Sequence, residues 1–452
     1  MKIEHTSYHS FLNENRYSSK SLILADQTAS GFPLKCIEDF LQRSVYPYYT
    51  NTHSNNVLGR KIADYVNTCK NYIKRCVKAD ETHAIIFSGH GATGAINHFV
   101  SGTSTINATV FVSKTEHYSN YLPWQNAGAK VILIDVLDTG LIDLVELDKQ
   151  LSSSSHLGHK IVSMSACSNI TGVIQNVKLI SELARKHSAI VCFDYAASAP
   201  YIPIDMSFAD AIFISPHKFP GAQATPGLLI CKKELLKNRC TPGGGTVRFV
   251  SQNETIYSDN VEQRESGGTP NIIGIIKTAL AFYIKQHYIK EIHRQEHHLT
   301  RNFQRELLEI QKRNDNLEIL NPLSNLNRLP IFIIRIKNGS GYFHYNYIVA
   351  LLSDLFGILV RGGVSCAGVY AEKLTGCDIP NTKECILSNR GTPGDYGFVR
   401  ITLHSLHTQN DIARILDAIA YVSQNANRYI GNYTYDATRN LFHKKKIKLC
   451  AN

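Results

Sequence analysis

The chain has 452 residues, 43% of them hydrophobic, and its 48 Lys and Arg exceed its 37 Asp and Glu to give +11 at neutral pH. This length allows two domains or one large α/β domain with an appendage; the composition is that of a soluble globular protein, and no apolar run is long enough to span a bilayer. Eleven cysteines without paired CxxC spacing argue against a disulfide framework and against a zinc cluster, while the positive surplus favours acidic ligands or partners.

The first stretch, MKIEHTSYHSFLNENRYSSK, carries acids and lacks an apolar leader, so a cytoplasmic location is expected. Residues 1–30 are expected to pack with a smaller C-terminal domain. From about Ser54 to Val77, Ile62, Tyr65, Val66, Cys69, Tyr72, Ile73 and Cys76 recur at helical spacing. Seven short runs follow, HAIIF, TVFVS, KVILID, KIVSMS, AIVCFD, AIFIS and GLLIC, separated by helical segments such as VKLISELARKH. That rhythm predicts an α/β fold with a mostly parallel seven-stranded sheet between helices, over residues 31–290.

Beyond about Lys290 the pattern changes to PIFIIRI, HYNYIVALLSDLF, GILVR, FVRITL and NDIARILDAIAYV, which predicts a smaller α+β domain over 291–440. Residues 370–396, rich in Gly, Pro, Asn and Asp, read as an inserted loop. Residues 441–452 read as a basic tail, a solvated end rather than a nucleic-acid site, because no aromatic interleaving accompanies the lysines.

Ligands of open α/β sheets gather beyond the carboxyl ends of the strands. HAIIF leads into SGHGATGAIN, a Gly-x-Gly-x-x-Gly run made by Gly89, Gly91 and Gly94. With Thr93 it could present backbone N–H groups and a helix dipole to a phosphate; a plain tight turn, or a dinucleotide fingerprint with Glu116 as the ribose-binding acid, are the other readings. AIVCFD ends in Asp194, a carboxylate that needs a partner if buried, or that caps the segment after it. AIFIS leads into His217 and Lys218, in FISPHKFPG. An amine at the end of an apolar run is more easily deprotonated, as one that condenses with a carbonyl must be. An acid and a lysine on neighbouring strands, beside a helix that cradles phosphate, form the set that pyridoxal 5'-phosphate requires.

The blocks NTHS, SGHGATGAIN, TEHYSNYLPW, SNITGV, DYAASAP, SPHK, GGTPN, RGGVSCAG and VRITL occur in order between about Asp26 and about Val422. In that order they resemble the class V aminotransferase and cysteine desulfurase family of fold-type-I pyridoxal phosphate enzymes. The resemblance implies that Lys218 carries the cofactor, that Asp194 partners its pyridine nitrogen, and that His117 stacks on its ring and relays protons. It implies that the amides of Gly91 and Ala92, with Thr93, Ser215 and His217, hold the phosphate, and that Asn169 reaches cofactor and substrate. Thr269 would reach the phosphate from the other subunit of a homodimer, and Arg400, with Arg361, would serve the substrate carboxylate.

Arg361, Gly363 and Cys366 resemble the Arg-x-Gly-x-x-Cys loop of one desulfurase group, whose cysteine takes sulfur from the substrate as a persulfide. That chemistry asks for a thiolate on a mobile loop, with Arg361 as a candidate to favour its ionisation. The sequence departs from the pattern at Ala197, where a glutamine is common, at Tyr201, where a histidine is frequent, and at Val364 and Ser365. The expected reaction is L-cysteine to L-alanine, with a sulfur-acceptor protein as a possible partner and with no metal, membrane or nucleic acid. The alternatives are an aminotransferase, epimerase or lyase on another amino acid, a dinucleotide-dependent oxidoreductase built on Gly89–Gly94, and a scaffold without catalysis.

Overall fold

The computed structural model describes residues 7–15, 22–105, 107–154, 158–324 and 327–445. They divide into two compact units: the first lies within 1–18, 28–168 and 174–294, the second within 19–27, 169–173 and 295–452.

The first unit is built on strands β1 (His83–His90), β2 (Thr109–Ser113), β3 (Lys130–Ile134), β4 (Lys160–Ser165), β5 (Ile190–Asp194), β6 (Ala211–Ile214) and β7 (Pro226–Lys232). Their spatial order is β1-β7-β6-β5-β4-β2-β3. Strands β2 to β6 pair in parallel, whereas β7 runs antiparallel to both β6 and β1. The inner strands are almost wholly buried and largely apolar, with Val, Ile, Leu and Phe predominating, because both faces are covered. Helix α1 (Val57–Cys76) begins where the Asn56 side chain accepts from the amide of Gly59, and it buries Ile62, Val66 and Ile73.

Helix α2 (Gly91–Gly102) follows β1 directly. It lays Ala95, Ile96 and Phe99 into a core with Ile86, Val110, Val112, Trp124 and Phe213. The Phe99 ring meets Trp124 and Phe213 edge-on, with centroids 6.2 and 5.6 Å apart. This packing fixes where the N-terminus of α2 points. The glycine turn therefore follows an antiparallel edge strand, and a dinucleotide fingerprint, which needs a parallel βαβ unit, is overturned by the topology.

The 42-residue helix α3 (Ile272–Arg313) carries the chain from the first unit into the second. There, β8 (Leu317–Ile319), β9 (Ile331–Asn338), β10 (Arg361–Gly363) and β11 (Phe398–Thr402) form an antiparallel sheet in the order β8-β9-β11-β10. Helices α4 (Tyr345–Phe356) and α7 (Gln409–Asn425) contribute Leu351, Leu352, Ile415 and Ile419 to its core, beside Phe332 and Ile401. The stretch read as an inserted loop is largely helical: it contains most of α5 (Gly368–Thr375) and all of α6 (Ile379–Leu387). Gly376 ends α5 in the left-handed conformation, and the Asp378 side chain caps α6 with Pro380 in its first turn. These helices escape a hydropathy reading because most of α6 faces solvent.

Residues expected as one N-terminal segment divide between the units. The Tyr8 amide donates to Glu291 in the first unit at 2.8 Å, whereas Ile23–Leu24 pairs in parallel with Ile358–Leu359 in the second. The expected tail opens instead with a strand, Leu441–Lys444, paired with Tyr433–Asp436; Lys446, Lys448 and the other residues from 446 onward lie outside the described residues. Among the described residues no helix is long and apolar enough to cross a membrane.

Candidate active site

In the first unit β5 and β6 end side by side. Asp194 pairs with Phe213 across them, and the chain leaves β6 through Ser215 into a single helical turn, Pro216–Lys218. Lys218 is half-buried, less enclosed than its apolar approach predicts. Asp194 is 5% exposed, its Oδ1 accepts from the Ala196 amide at 2.7 Å, and among the described residues no hydrogen bond reaches Oδ2. Burial raises its pKa above the usual carboxylate range, and the nearby Lys218 charge opposes that rise.

The N-terminus of α2 reaches this strand edge, where the Ala92 amide donates to Ser215 Oγ at 2.8 Å. Gly91 has φ +54°, and a Cβ there would stand 2.7 Å from His217 Cε1 and 2.9 Å from Ser215 Oγ. Only glycine permits so close an approach. Burial, helped by the Lys218 charge, pushes the His217 pKa down to about 4, so the ring is neutral at neutral pH. Thr93 Oγ1 lies 2.6 Å from Ser119 Oγ, which lies 3.0 Å from His117 Nδ1. A hydroxyl relay therefore joins the first turn of α2 to His117. Sequence reasoning missed Ser119, although it stands two residues from His117 in the same block.

Glu116 is not a ribose-binding acid. It is 5% exposed and accepts from the hydroxyls of Ser113 and Ser165, the Ser165 amide and the Asn120 side chain. Burial pushes its pKa up to about 7. Since Ser165 pairs with Asp194 on the next strand, Glu116 braces the strand end that carries Asp194. Ala197 and Tyr201, the two departures, are buried at 7% and 6% exposure. Thr269 is exposed, accepts from Asn51 Nδ2 at 3.2 Å, and lines a cavity of about 760 Å³ with His53, Gly89, His90 and Asn271.

The second unit holds the other candidates. Arg400 on β11 stands directly opposite Arg361 on β10. Like charges in that register repel, and an anion between or beside them relieves the repulsion. Arg400 is 2% exposed; its Nη1 donates to the Asn169 carbonyl at 3.0 Å and its Nη2 to Asp26 Oδ1 at 2.6 Å. Its Nε has no hydrogen-bond partner among the described residues, so one donor of the fork is open. Asp26 is a second residue that sequence reasoning missed, since nothing in its neighbourhood marks it as an arginine partner.

Cys366 is half-buried in the four residues between β10 and α5. Asn169 Nδ2 donates to the Ser365 carbonyl at 2.8 Å, and the Ala367 amide to the Val364 carbonyl at 3.1 Å. The loop expected to be mobile is four residues long and held by these two bonds. Asn169, Arg361, Cys366 and Arg400 come together in the second unit, as Gly91, Ala92, Thr93, His117, Asp194, Ser215, His217 and Lys218 do in the first.

The sequence matches the model of the family described as Aminotransferase class-V over residues 23–415. Similar curated proteins include a probable cysteine desulfurase of Staphylococcus epidermidis, 29% identical over 82% of this chain and 91% of that one. Another, from Halalkalibacterium halodurans, is 28% identical over 74% of this chain and 80% of its own length. Among solved structures, the apo cysteine desulfurase of Thermococcus onnurineus superposes with a TM-score of 0.78 at 22% identity, over 94% of this chain and all of that one. A cysteine desulfurase of Escherichia coli gives 0.73 at 18% identity, over 93% and 99%. At these identities the structural likeness establishes the fold.

Proposed function

The chain belongs to the class-V aminotransferase family, and on that premise we propose that it is a pyridoxal phosphate-dependent cysteine desulfurase, converting L-cysteine to L-alanine and leaving the sulfur as a persulfide on Cys366. The observation that carries the reading is the second unit's pairing of a half-buried thiol with two cross-strand arginines, Arg361 and Arg400, the latter with an open donor. A thiol beside a carboxylate-binding fork is what sulfur abstraction from an amino acid requires.

The first unit's residues fit the cofactor. Gly91 brings the N-terminus of α2 against Ser215 and His217 where no side chain fits, a grouping of donors that suits a phosphate at a helix N-terminus, and Asp194 Oδ2 has no hydrogen-bond partner among the described residues. When bound, pyridoxal phosphate supplies an aldehyde for covalent attachment and a protonated ring that draws electrons from the substrate α-carbon. Asp194 would hold that ring nitrogen protonated, and the amides of Gly91 and Ala92, Thr93, Ser215 and neutral His217 would donate to the phosphate. Lys218 would carry the cofactor and move the proton at the substrate α-carbon, with His117 held in place by Ser119. Thr269 would serve the phosphate of the partner copy in a homodimer.

Arg400, assisted by Arg361, would bind the substrate carboxylate. Cys366, as thiolate, would attack the substrate sulfur: an S–S bond forms, the Cβ–S bond breaks, and the carbon keeps the electron pair and is protonated to the methyl of alanine. Asn169 would fix this loop through Ser365. A sulfur-accepting protein would then discharge the persulfide. A cytoplasmic setting suits a chain whose described cysteines are all free.

The test is to give L-cysteine to the full-length, cofactor-loaded protein and to its Cys366→Ala variant. The parent is expected to release alanine and to carry one added sulfur on the Cys366 peptide, and the variant to keep its visible band without sulfur transfer. A parent that releases no alanine contradicts the proposal. If its band then shifts with another amino acid, the reaction is that of an aminotransferase, epimerase or lyase.

A further inference from the structure

His98, Cys240 and Glu265 come from three separate segments of the first unit and take no part in the cofactor cradle. His98 sits in the second half of α2, Cys240 in the stretch after β7, and Glu265 directly behind the helical turn Val261–Arg264. An imidazole nitrogen, a thiol sulfur and a carboxylate oxygen from these residues all lie within 4.8 Å of one another. His98 and Glu265 are 5% and 1% exposed. Their separation in sequence explains why cysteine spacing gives no hint of them.

His98 and Glu265 face each other at ion-pair distance. His98 Nδ1 lies 3.1 Å from the Ser88 hydroxyl, which orients the ring and turns Nε2 toward Glu265. Nε2 stands 3.3 Å from Glu265 Oε2, and among the described residues it makes no hydrogen bond of good geometry. A charge-assisted bond would draw them to about 2.7–2.9 Å. In a tetrahedral zinc site with bonds of about 2.0–2.1 Å, neighbouring nitrogen and oxygen ligands stand about 3.3 Å apart. The observed spacing matches that of two ligands of one cation.

Around the carboxylate, Arg264 Nε donates to Oε1 at 3.1 Å and the Cys240 amide to Oε2 at 3.0 Å, the outer bonds that hold a ligand in position. The Cys240 thiol now donates to the His98 carbonyl at 3.2 Å; a metal would displace that proton, because the thiolate is the ligand. One thiolate, one carboxylate and one neutral imidazole balance a dication in a buried place. Nitrogen, sulfur and oxygen together suit zinc among the common divalent metals.

We propose that His98, Cys240 and Glu265 form a zinc site, completed by water, that fastens α2 to the segment running on to Thr269. Thr241 Oγ1 donates to the Glu265 carbonyl at 2.7 Å, and Gly268 N to the Gly244 carbonyl at 2.8 Å, so the segment so anchored is already tied to itself. A metal at this point restrains the helix that forms the phosphate cradle and the loop that carries Thr269.

The test uses the full-length, cofactor-loaded protein with Cys366→Ala, which removes the other candidate thiol. After dialysis against zinc and then against metal-free buffer, plasma mass spectrometry is expected to find about one zinc per chain. Zinc-edge X-ray absorption is expected to show one sulfur at about 2.3 Å with lighter ligands at about 2.0 Å. Adding Cys240→Ser or Glu265→Gln is expected to lower retained zinc by roughly tenfold or more. Less than about a tenth of a zinc per chain, an absorption spectrum without sulfur, or equal retention by folded variants overturns the proposal. The absorption spectrum is read with all three ligands present, so it decides the matter even if a variant fails to fold.

Discussion

Cys366 and the residue before it, Ser365, both have left-handed backbones, with φ of +57° and +51°. Non-glycine residues resist that conformation at a cost of about 1–3 kcal/mol each, and such strain gathers where geometry serves function. Here the Asn169 bond to the Ser365 carbonyl and the turn to Ala367 hold the loop. In the same unit, Arg400 is under opposing demands: burial lowers its pKa, and the charge of Asp26 counters this. Replacing it with glutamine removes charge-assisted bonds worth about 1.5–3 kcal/mol to a carboxylate, roughly a 10- to 150-fold change. Arg400→Gln should therefore lower kcat/KM for L-cysteine by that factor, mainly through KM, with the cofactor band intact. Steady-state alanine formation measures this; an unchanged KM would remove Arg400 from substrate binding.

At the level of elements, the seven strand runs and the α2 turn are legible because parallel strands buried on both faces read as largely apolar runs, and because the tight start of α2 leaves glycines where side chains cannot fit. Lys218 and Asp194 stand out for the same reason, as polar groups closing apolar runs. Helix α6 was not legible by periodicity, since its exposed surface needs no apolar stripe, although its Asp378 cap and Pro380 were start signals. Ser119, Glu116 and Asp26 act through partners brought near by folding, and no local pattern announces them.

Helix α3 adds a buried acid with no catalytic assignment. Burial pushes the pKa of Glu296 up to about 8 from an ordinary 4.5, and its Oε1 has no hydrogen-bond partner among the described residues. The folded state thus keeps a proton that the unfolded chain releases, and stability from this group is present at low pH and lost as pH rises from 4.5 through about 8. Glu296→Gln, which imitates the protonated acid, should match the parent at about pH 5. At about pH 9 it should exceed the parent by on the order of 2–4 kcal/mol in urea unfolding. Parallel pH profiles for the two would contradict this.

Over the whole molecule, each unit has its own core and its own set of the residues that the proposed reaction uses. The first holds a glycine-led helix start, a buried acid and a half-buried amine; the second holds two opposed arginines and a thiol. The proposed reaction needs both sets, but everything in it presupposes one covalent attachment, at Lys218. The direct measurement is borohydride reduction of the full-length protein reconstituted with pyridoxal phosphate, followed by proteolysis and peptide mass mapping. The account predicts a reduced cofactor adduct on Lys218, in the peptide containing FISPHKFPG, and loss of the visible band; a protein that stays colourless after reconstitution, or an adduct on another lysine with Lys218 unmodified, would contradict it.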